Sequence, residues 1–214
     1  MRNVFLLSLI ASSTLAADRP NLLFIIADDC TFRDIGCYGG QAHTPTIDAL
    51  ARQGMRFTRC FQAAPMCSPT RHNIYTGLYP VKSGAYPNHT FVKDNVKSVV
   101  HYLKPNGYRV ALSGKTHIGP RKLFRFEYSG KKNPDMGVID QLFADTAETG
   151  KPFCLFACSN EPHAPWDKGD PSRYPPESIK LPANFVDTPE TWEAMSKYLA
   201  EITYFDSQVG QCLE

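Results

Sequence analysis

Two stretches of this chain, NLLFIIA at 21–27 and PFCLFACSN at 152–160, run through apolar residues with no polar alternation. A strand with one wet face alternates. An unbroken apolar run needs cover on both faces, which a parallel sheet between helical layers supplies. YRVALSGK at 108–115 reads as a further strand. Helical patterns separate these runs, so the expected fold is α/β, a mostly parallel sheet flanked by helices. At 214 residues the chain is long enough for one domain with a substantial core.

The helices are marked by their ends. Thr44 and Pro45 predict an N-cap and first position, Ile47, Leu50 and Ala51 share a face, and Gly54 ends the helix. Ser68 and Pro69 predict a second start, with Gly77 as its stop, and Val96, Val99, Val100 and Leu103 predict a helix near 95–105 closed by Gly107. From Thr188 onward Trp192, Met195, Leu199, Ile202, Phe205 and Val209 form one stripe, and Asp187 with Glu190 resembles a capping box. MRFTRCF at 55–61 alternates and reads as a strand, 119–135 as a basic and aromatic loop, and proline-rich 162–190 as an extended surface excursion. The last helix runs almost to Glu214 with no strand behind it, the pattern of an α/β unit truncated before its domain is complete.

Residues 1–17 join Arg2, a short apolar stretch from Val4 and small residues at Ala16 and Ala17. This is the pattern of a cleaved signal peptide, leaving a domain at 18–214 in a secreted or periplasmic protein. No other segment could span a membrane. The seven cysteines are odd in number, so at least one thiol is unpaired or chemically special. Cys154 and Cys158 read as buried hydrophobes in a strand, and the spacing of the set does not fit zinc. A net charge of +2 without a basic, aromatic-interleaved stripe argues against a nucleic-acid partner. Asn88-His89-Thr90 matches the acceptor pattern for N-glycosylation.

In open α/β sheets ligands bind beyond the carboxyl ends of the strands. Here the three strongest strands end in Asp28-Asp29, in Lys115-Thr116-His117 and in Asn160-Glu161-Pro162-His163. Two adjacent carboxylates either share a hard divalent cation or serve as a loop cap and a solvated charge. Lys115 and His117 suit an anion, or else a surface lysine and a loop-capping imidazole. His163 stands in a proline-flanked turn, where structural and catalytic roles are both open. Cys67 lies at a helix start with Arg71 one turn on, a place that favours negative charge. It could be a thiolate nucleophile, but the phosphatase spacing would need arginine at 73, where the chain has Asn73.

CSPTRHNIYTG contains C-x-P-x-R, the core of the sulfatase signature, and the chain resembles that family in three separated motifs in the right order. PNLLFIIADD resembles the family's opening strand with its metal aspartates, and SGKTHIGP its later Gly-Lys-x-His element. GKTHIGP with FRFEY after it is similar to N-sulfoglucosamine sulfohydrolases (sulfamidases) and related exported bacterial sulfatases. The resemblance implies an alkaline-phosphatase-like fold and a Cys67 oxidised to Cα-formylglycine (3-oxoalanine) by a separate maturation enzyme. A hydroxyl of the aldehyde hydrate then attacks sulfur. It further implies calcium, in preference to magnesium, on Asp28, Asp29 and modified Cys67, with Arg71 holding the hydrate. Lys115 and His117 would contact sulfate oxygens or the hydrate, and His163 would be the candidate to protonate the leaving group. The implied substrate is a sulfated carbohydrate. A phosphonate or phosphate-ester hydrolase of the same superfamily, or an inactive partial chain, are the alternatives.

Overall fold

The computed structural model describes residues 19–214; the expected signal peptide lies outside them. Four parallel strands form the sheet among these residues: β1 (Leu22–Ile26), β2 (Arg109–Gly114), β3 (Glu127–Tyr128) and β4 (Phe153–Cys158), in the order β1-β4-β2-β3. β4 is buried at all six positions, as its unbroken apolar run requires.

The helices are α1 (Pro45–Gln53), α2 (Cys67–Thr76), α3 (Pro80–Ser83), α4 (Val99–Leu103), α5 (Met136–Thr149) and α6 (Pro189–Leu213). Alternate residues of the central strands face two different helical layers. Val110, Leu112, Cys154, Phe156 and Cys158 pack against Tyr75 of α2 and Val100 of α4. Ala111, Phe153, Leu155 and Ala157 pack against Ile139 and Leu142 of α5 and Cys212 of α6. β2 and β4 are thus covered on both faces, whereas β1, which the apolar run predicts to be buried on both, is only partly buried at the sheet edge, with Phe24 46% exposed.

Several local expectations are corrected. Segment 55–61 forms no strand: Met55, Phe57 and Phe61 are exposed, and no neighbouring strand offers a ladder. α2 begins two residues earlier than Ser68 predicts, because Ser68 N–H donates to the Asn88 side chain; Met66 is the N-cap. Pro69 then sits at the third helical position, where its missing N–H leaves no helical bond unmade. The α6 cap is Thr188, whose Oγ1 accepts from Thr191 N–H, while Asp187 accepts from the Trp192 indole. Thr44 caps α1 in position only, and the α1 amides of Thr46 and Ile47 donate to Asp206 of α6 instead.

α5 lies where the sequence pattern predicts no element, although Ile139, Leu142 and Phe143 carry a helical spacing and Gly150 ends it. Segment 119–135 is loop apart from one tight turn and the two residues of β3. Segment 162–190 is irregular rather than extended, with tight helical turns at Pro171–Arg173 and Pro176–Ser178 and its end in α6, and it buries Tyr174 and Ile179 against α6. All seven cysteines are free, and Cys154 and Cys158 are buried as expected. No helix among the described residues is long and apolar enough to cross a membrane.

Candidate active site

Strand register brings the three polar strand ends together. Ile26 of β1 and Gly114 of β2 both pair with Cys158 of β4, so the chain leaves all three strands at one level of the sheet. The ladder continues briefly: Ser159 N–H donates to Ile26 O, Lys115 N–H to Cys158 O and Asp28 N–H to Glu161 O. Gly114 makes the turn possible. Its φ is +104°, and a side chain there would overlap the Cys158 carbonyl.

Asp28 is the hub. It is only 3% exposed, with one carboxylate oxygen 3.4 Å from Arg71 Nη2 and the other in an ion pair with Lys115. Arg71, 2% exposed, also donates from Nη1 to the Lys115 carbonyl at 3.1 Å, which locks α2 to the end of β2. Arg71 Nη2 has no hydrogen-bond acceptor. A buried guanidinium with spare donor capacity suits an anionic ligand.

Asp29, in contrast, is exposed and left-handed, with φ 59°. Its carboxylate lies 3.7 Å from His163 Nε2. His163 Nδ1 donates to Ala164 O at 2.6 Å, so in the neutral ring that nitrogen carries the hydrogen and Nε2 is free to take or give a proton. His117 is also left-handed, with φ 45°, and its Nε2 lies 2.8 Å from His89 Nδ1. Burial, with the nearby charges of His89, Lys115 and Arg71, lowers the His117 pKa below its ordinary value.

Cys67 stands half-buried at the first position of α2, where the amides of the first turn have no helical acceptor. It shares one cavity of about 190 Å³ with Asp28, Asp29 and Arg71. Its Sγ lies 3.8 Å from Asn88 Oδ1. Asp29 also lines a neighbouring cleft of about 740 Å³ walled by Phe32, Trp166, Phe185 and Tyr198. All seven residues singled out in the sequence therefore fall around one edge of the sheet, in three linked groups: Asp28-Arg71-Lys115, Asp29-His163 and Cys67, with His117 beside the first.

Three residues were not legible in the sequence. Asn88 and His89 enter the site from the α3–α4 loop, and the glycosylation pattern there gave no hint of it. His72 is fully buried behind α2: Nδ1 donates to Ser68 O at 2.8 Å, and Nε2 accepts from Gly119 N–H at 3.0 Å. It thereby ties α2 to the segment that carries Lys115 and His117. A lone polar residue in a helix gives no sign of such a tertiary bond.

Two carboxylates facing one cavity have the chemistry for a hard cation, but they supply only part of the ~6–8 oxygens that calcium takes. Among the described residues no three His, Cys, Asp or Glu side chains form a metal-binding group.

A cysteine at a helix start, an arginine and two adjacent aspartates thus line one cavity at the carboxyl edge of a parallel sheet. The sulfatase family model matches residues 20–214, and the chain belongs to that family. It is 38% identical over 163 residues to an ulvan-active sulfatase of Formosa agariphila, covering 73% of this chain and 33% of that protein. It is 31% identical to human N-sulphoglucosamine sulphohydrolase, covering 68% of this chain and 32% of that one. A solved structure described with glycosaminoglycan metabolism by Bacteroides thetaiotaomicron superposes with a TM-score of 0.77 at 22% identity, over 91% of this chain and 57% of that one. The chain thus spans about a third of the length of these curated relatives.

Proposed function

We propose that the whole protein hydrolyses sulfate esters or N-sulfates of a sulfated glycan. The observation that carries this is the single cavity shared by Cys67, Arg71, Asp28 and Asp29, with Lys115 bonded to the same Asp28. Asp28 and Asp29 would hold one side of a divalent cation, calcium by their hard oxygen chemistry, with the side chain made from Cys67 as a third ligand. A formylglycine at position 67, hydrated to a gem-diol, would supply one hydroxyl to attack sulfur as the alcohol or amine departs and a second whose deprotonation would expel sulfate and restore the aldehyde.

The chain's own residues do the rest. With a divalent cation on the two carboxylates, Arg71 and Lys115 leave the site with an excess of positive charge, which favours the sulfate group and the charge that develops during its transfer. His117, near the charges of Arg71 and Lys115, would add an imidazole donor for that anion. His163 Nε2, free of any acceptor but Asp29, can carry a proton to the departing oxygen or nitrogen. The aromatic cleft beside Asp29 offers flat apolar walls for a sugar ring. The relatives' names, an ulvan-active sulfatase and an N-sulphoglucosamine sulphohydrolase, support a carbohydrate substrate. The leader at 1–17 supports export.

The test is expression of the full-length protein with a formylglycine-generating enzyme. Mass spectrometry of the residue-67 peptide and release of sulfate against phosphate from matched substrates are then measured. The expected result is an aldehyde at 67 and sulfate release that Cys67→Ala abolishes. Phosphate release alone would favour the phosphonate or phosphate-ester alternative, and an unmodified thiol without turnover would favour an inactive chain.

A further inference from the structure

We propose that His89 is a positioning residue of this site, fixing His117 as the tautomer with its hydrogen on Nδ1, while Asn88 anchors the loop to the start of α2. The inference rests on the anion-binding role proposed above. The loop is held at its base, where Lys93 N–H donates to Ser83 O and Val92 N–H to Gly119 O, two residues from His117. At its tip Asn88 Oδ1 accepts from Ser68 N–H at 3.4 Å and lies 3.8 Å from Cys67 Sγ. It also accepts from His89 N–H at 3.2 Å. The loop therefore touches both the reactive position and the Gly-Lys-x-His segment.

His89 and His117 are both held in the left-handed region, with φ 63° and 45°. Such backbone is unfavourable for a residue with a side chain and persists where surrounding contacts impose it. Here the two strained residues meet each other, Nδ1 of His89 to Nε2 of His117 at 2.8 Å, with ring centroids 4.7 Å apart. One of these nitrogens must carry the hydrogen.

The rest of His117 decides which. Its Nδ1 is buried and has no partner, and the ring lies among the charges of Arg71, Lys115 and Asp28. If His117 donated to His89, that Nδ1 would be a buried bare lone pair in a site built for an anion. If His89 Nδ1–H donates to His117 Nε2, the neutral His117 ring carries its hydrogen on Nδ1. It then becomes a second unpaired buried donor beside Arg71 Nη2. Two spare donors and an ammonium suit a tetrahedral oxyanion; a lone pair among them does not.

The experiment uses the full-length, matured protein with His89→Asn and His89→Gly. Both residues accept left-handed backbone, and asparagine can place an N–H near the position of the imidazole Nδ1. In ¹⁵N-histidine NMR the His117 signals, assigned by their loss in His117→Gln, show the Nδ1–H tautomer in the parent and in His89→Asn, and a mixture in His89→Gly. Inorganic sulfate binds His89→Gly about tenfold more weakly, and kcat/KM for sulfate release falls by ~10², while His89→Asn stays within about threefold of the parent. An Nε2–H tautomer in the parent, or unchanged sulfate affinity in His89→Gly, overturns the inference whatever the turnover. If the expected tautomer and sulfate affinities appear in a protein that cleaves no sulfated substrate, the positioning role stands and the sulfatase function falls.

Discussion

Asp28→Asn separates the two duties placed on that carboxylate. In the folded chain it is the counter-charge of Arg71 and Lys115, and all three groups are largely withdrawn from water. At 3.4 Å and an effective dielectric of ~20, the Arg71 pair alone is worth about 5 kcal/mol before desolvation is counted. Asparagine preserves the shape and one acceptor but leaves two cations facing each other without an anion. We expect a net loss of ~3 kcal/mol, at the lower end for breaking a buried pair. Asp29→Asn is the control, since its carboxylate is 58% exposed and its partner His163 stands 3.7 Å away; its cost should be under ~0.5 kcal/mol. The assay is urea unfolding of the full-length protein after chelation, then again with calcium. Without metal only Asp28→Asn is destabilised. With calcium at ~100 times its Kd the parent gains ~2.7 kcal/mol, and both variants lose most of that gain. Chelated Asp28→Asn as stable as the parent would show that this ion-pair hub does not hold the fold, and the reasoning from burial would be wrong.

Gly114→Ala forces a side chain into the Cys158 carbonyl at φ +104°, so β2 and β4 must part where the site begins. A loss of about 3 kcal/mol or more, or no soluble protein, is expected; thermal melting within a few degrees of the parent would contradict it. Burial lowers the His72 pKa below its ordinary 6.5, so the fold keeps this ring neutral while the unfolded chain takes up a proton. Its contribution is complete above pH 6.5 and is lost as pH falls from there toward the folded value, by up to ~1.4 kcal/mol per pH unit. Unfolding curves of the parent and His72→Gln should therefore converge as the pH is lowered through that window. If they keep a constant gap, His72 is not the group responsible. His163→Ala should lower kcat by ~10² on alkyl or sugar sulfates but far less on an activated aryl sulfate, whose leaving group needs no proton. An equal loss on both would assign His163 to substrate binding instead.

What could be read from the sequence here is what local pattern encodes. β1 and β4 need two covered faces, so their apolar runs specify a parallel sheet, and a parallel sheet puts all its strand ends on one side. Asp28, Lys115 and His163 were legible for that reason, even though 87 residues separate the ion-paired Asp28 and Lys115. Helix stops at Gly54, Gly77 and Gly107 were legible because a left-handed or open terminus is a property of a single residue. Helix starts were less so. Ser68 has the composition of a cap, but its amide is claimed by Asn88 from a different loop, and the helix starts at Cys67 instead. The same displacement hid α1's true cap, Asp206, which lies on α6.

The site divides along the same line. Its charged floor hangs from strand ends and comes from topology. Its upper wall, Asn88 and His89, hangs from a loop whose position is set by bonds to Gly119 and Ser83, and no periodicity reports those. Positive-φ backbone falls on both parts, at Asp29 and His117 of the floor and at His89 of the wall. At His89 and His117 local preference is overruled where the two rings meet, and a contact between rings 28 residues apart is a property of the fold. A floor fixed by topology can keep its contacts while parts of the wall change. Substitutions at 86, 87, 90 and 91, which leave the Asn88 and His89 contacts in place, should therefore shift which substrates are accepted more readily than substitutions at 28, 71 or 115, which should remove activity altogether. Kinetic comparison of the two groups on two or more sulfated sugars checks this; a uniform loss on every substrate from changes at 86, 87, 90 and 91 would place the whole loop in the core chemistry.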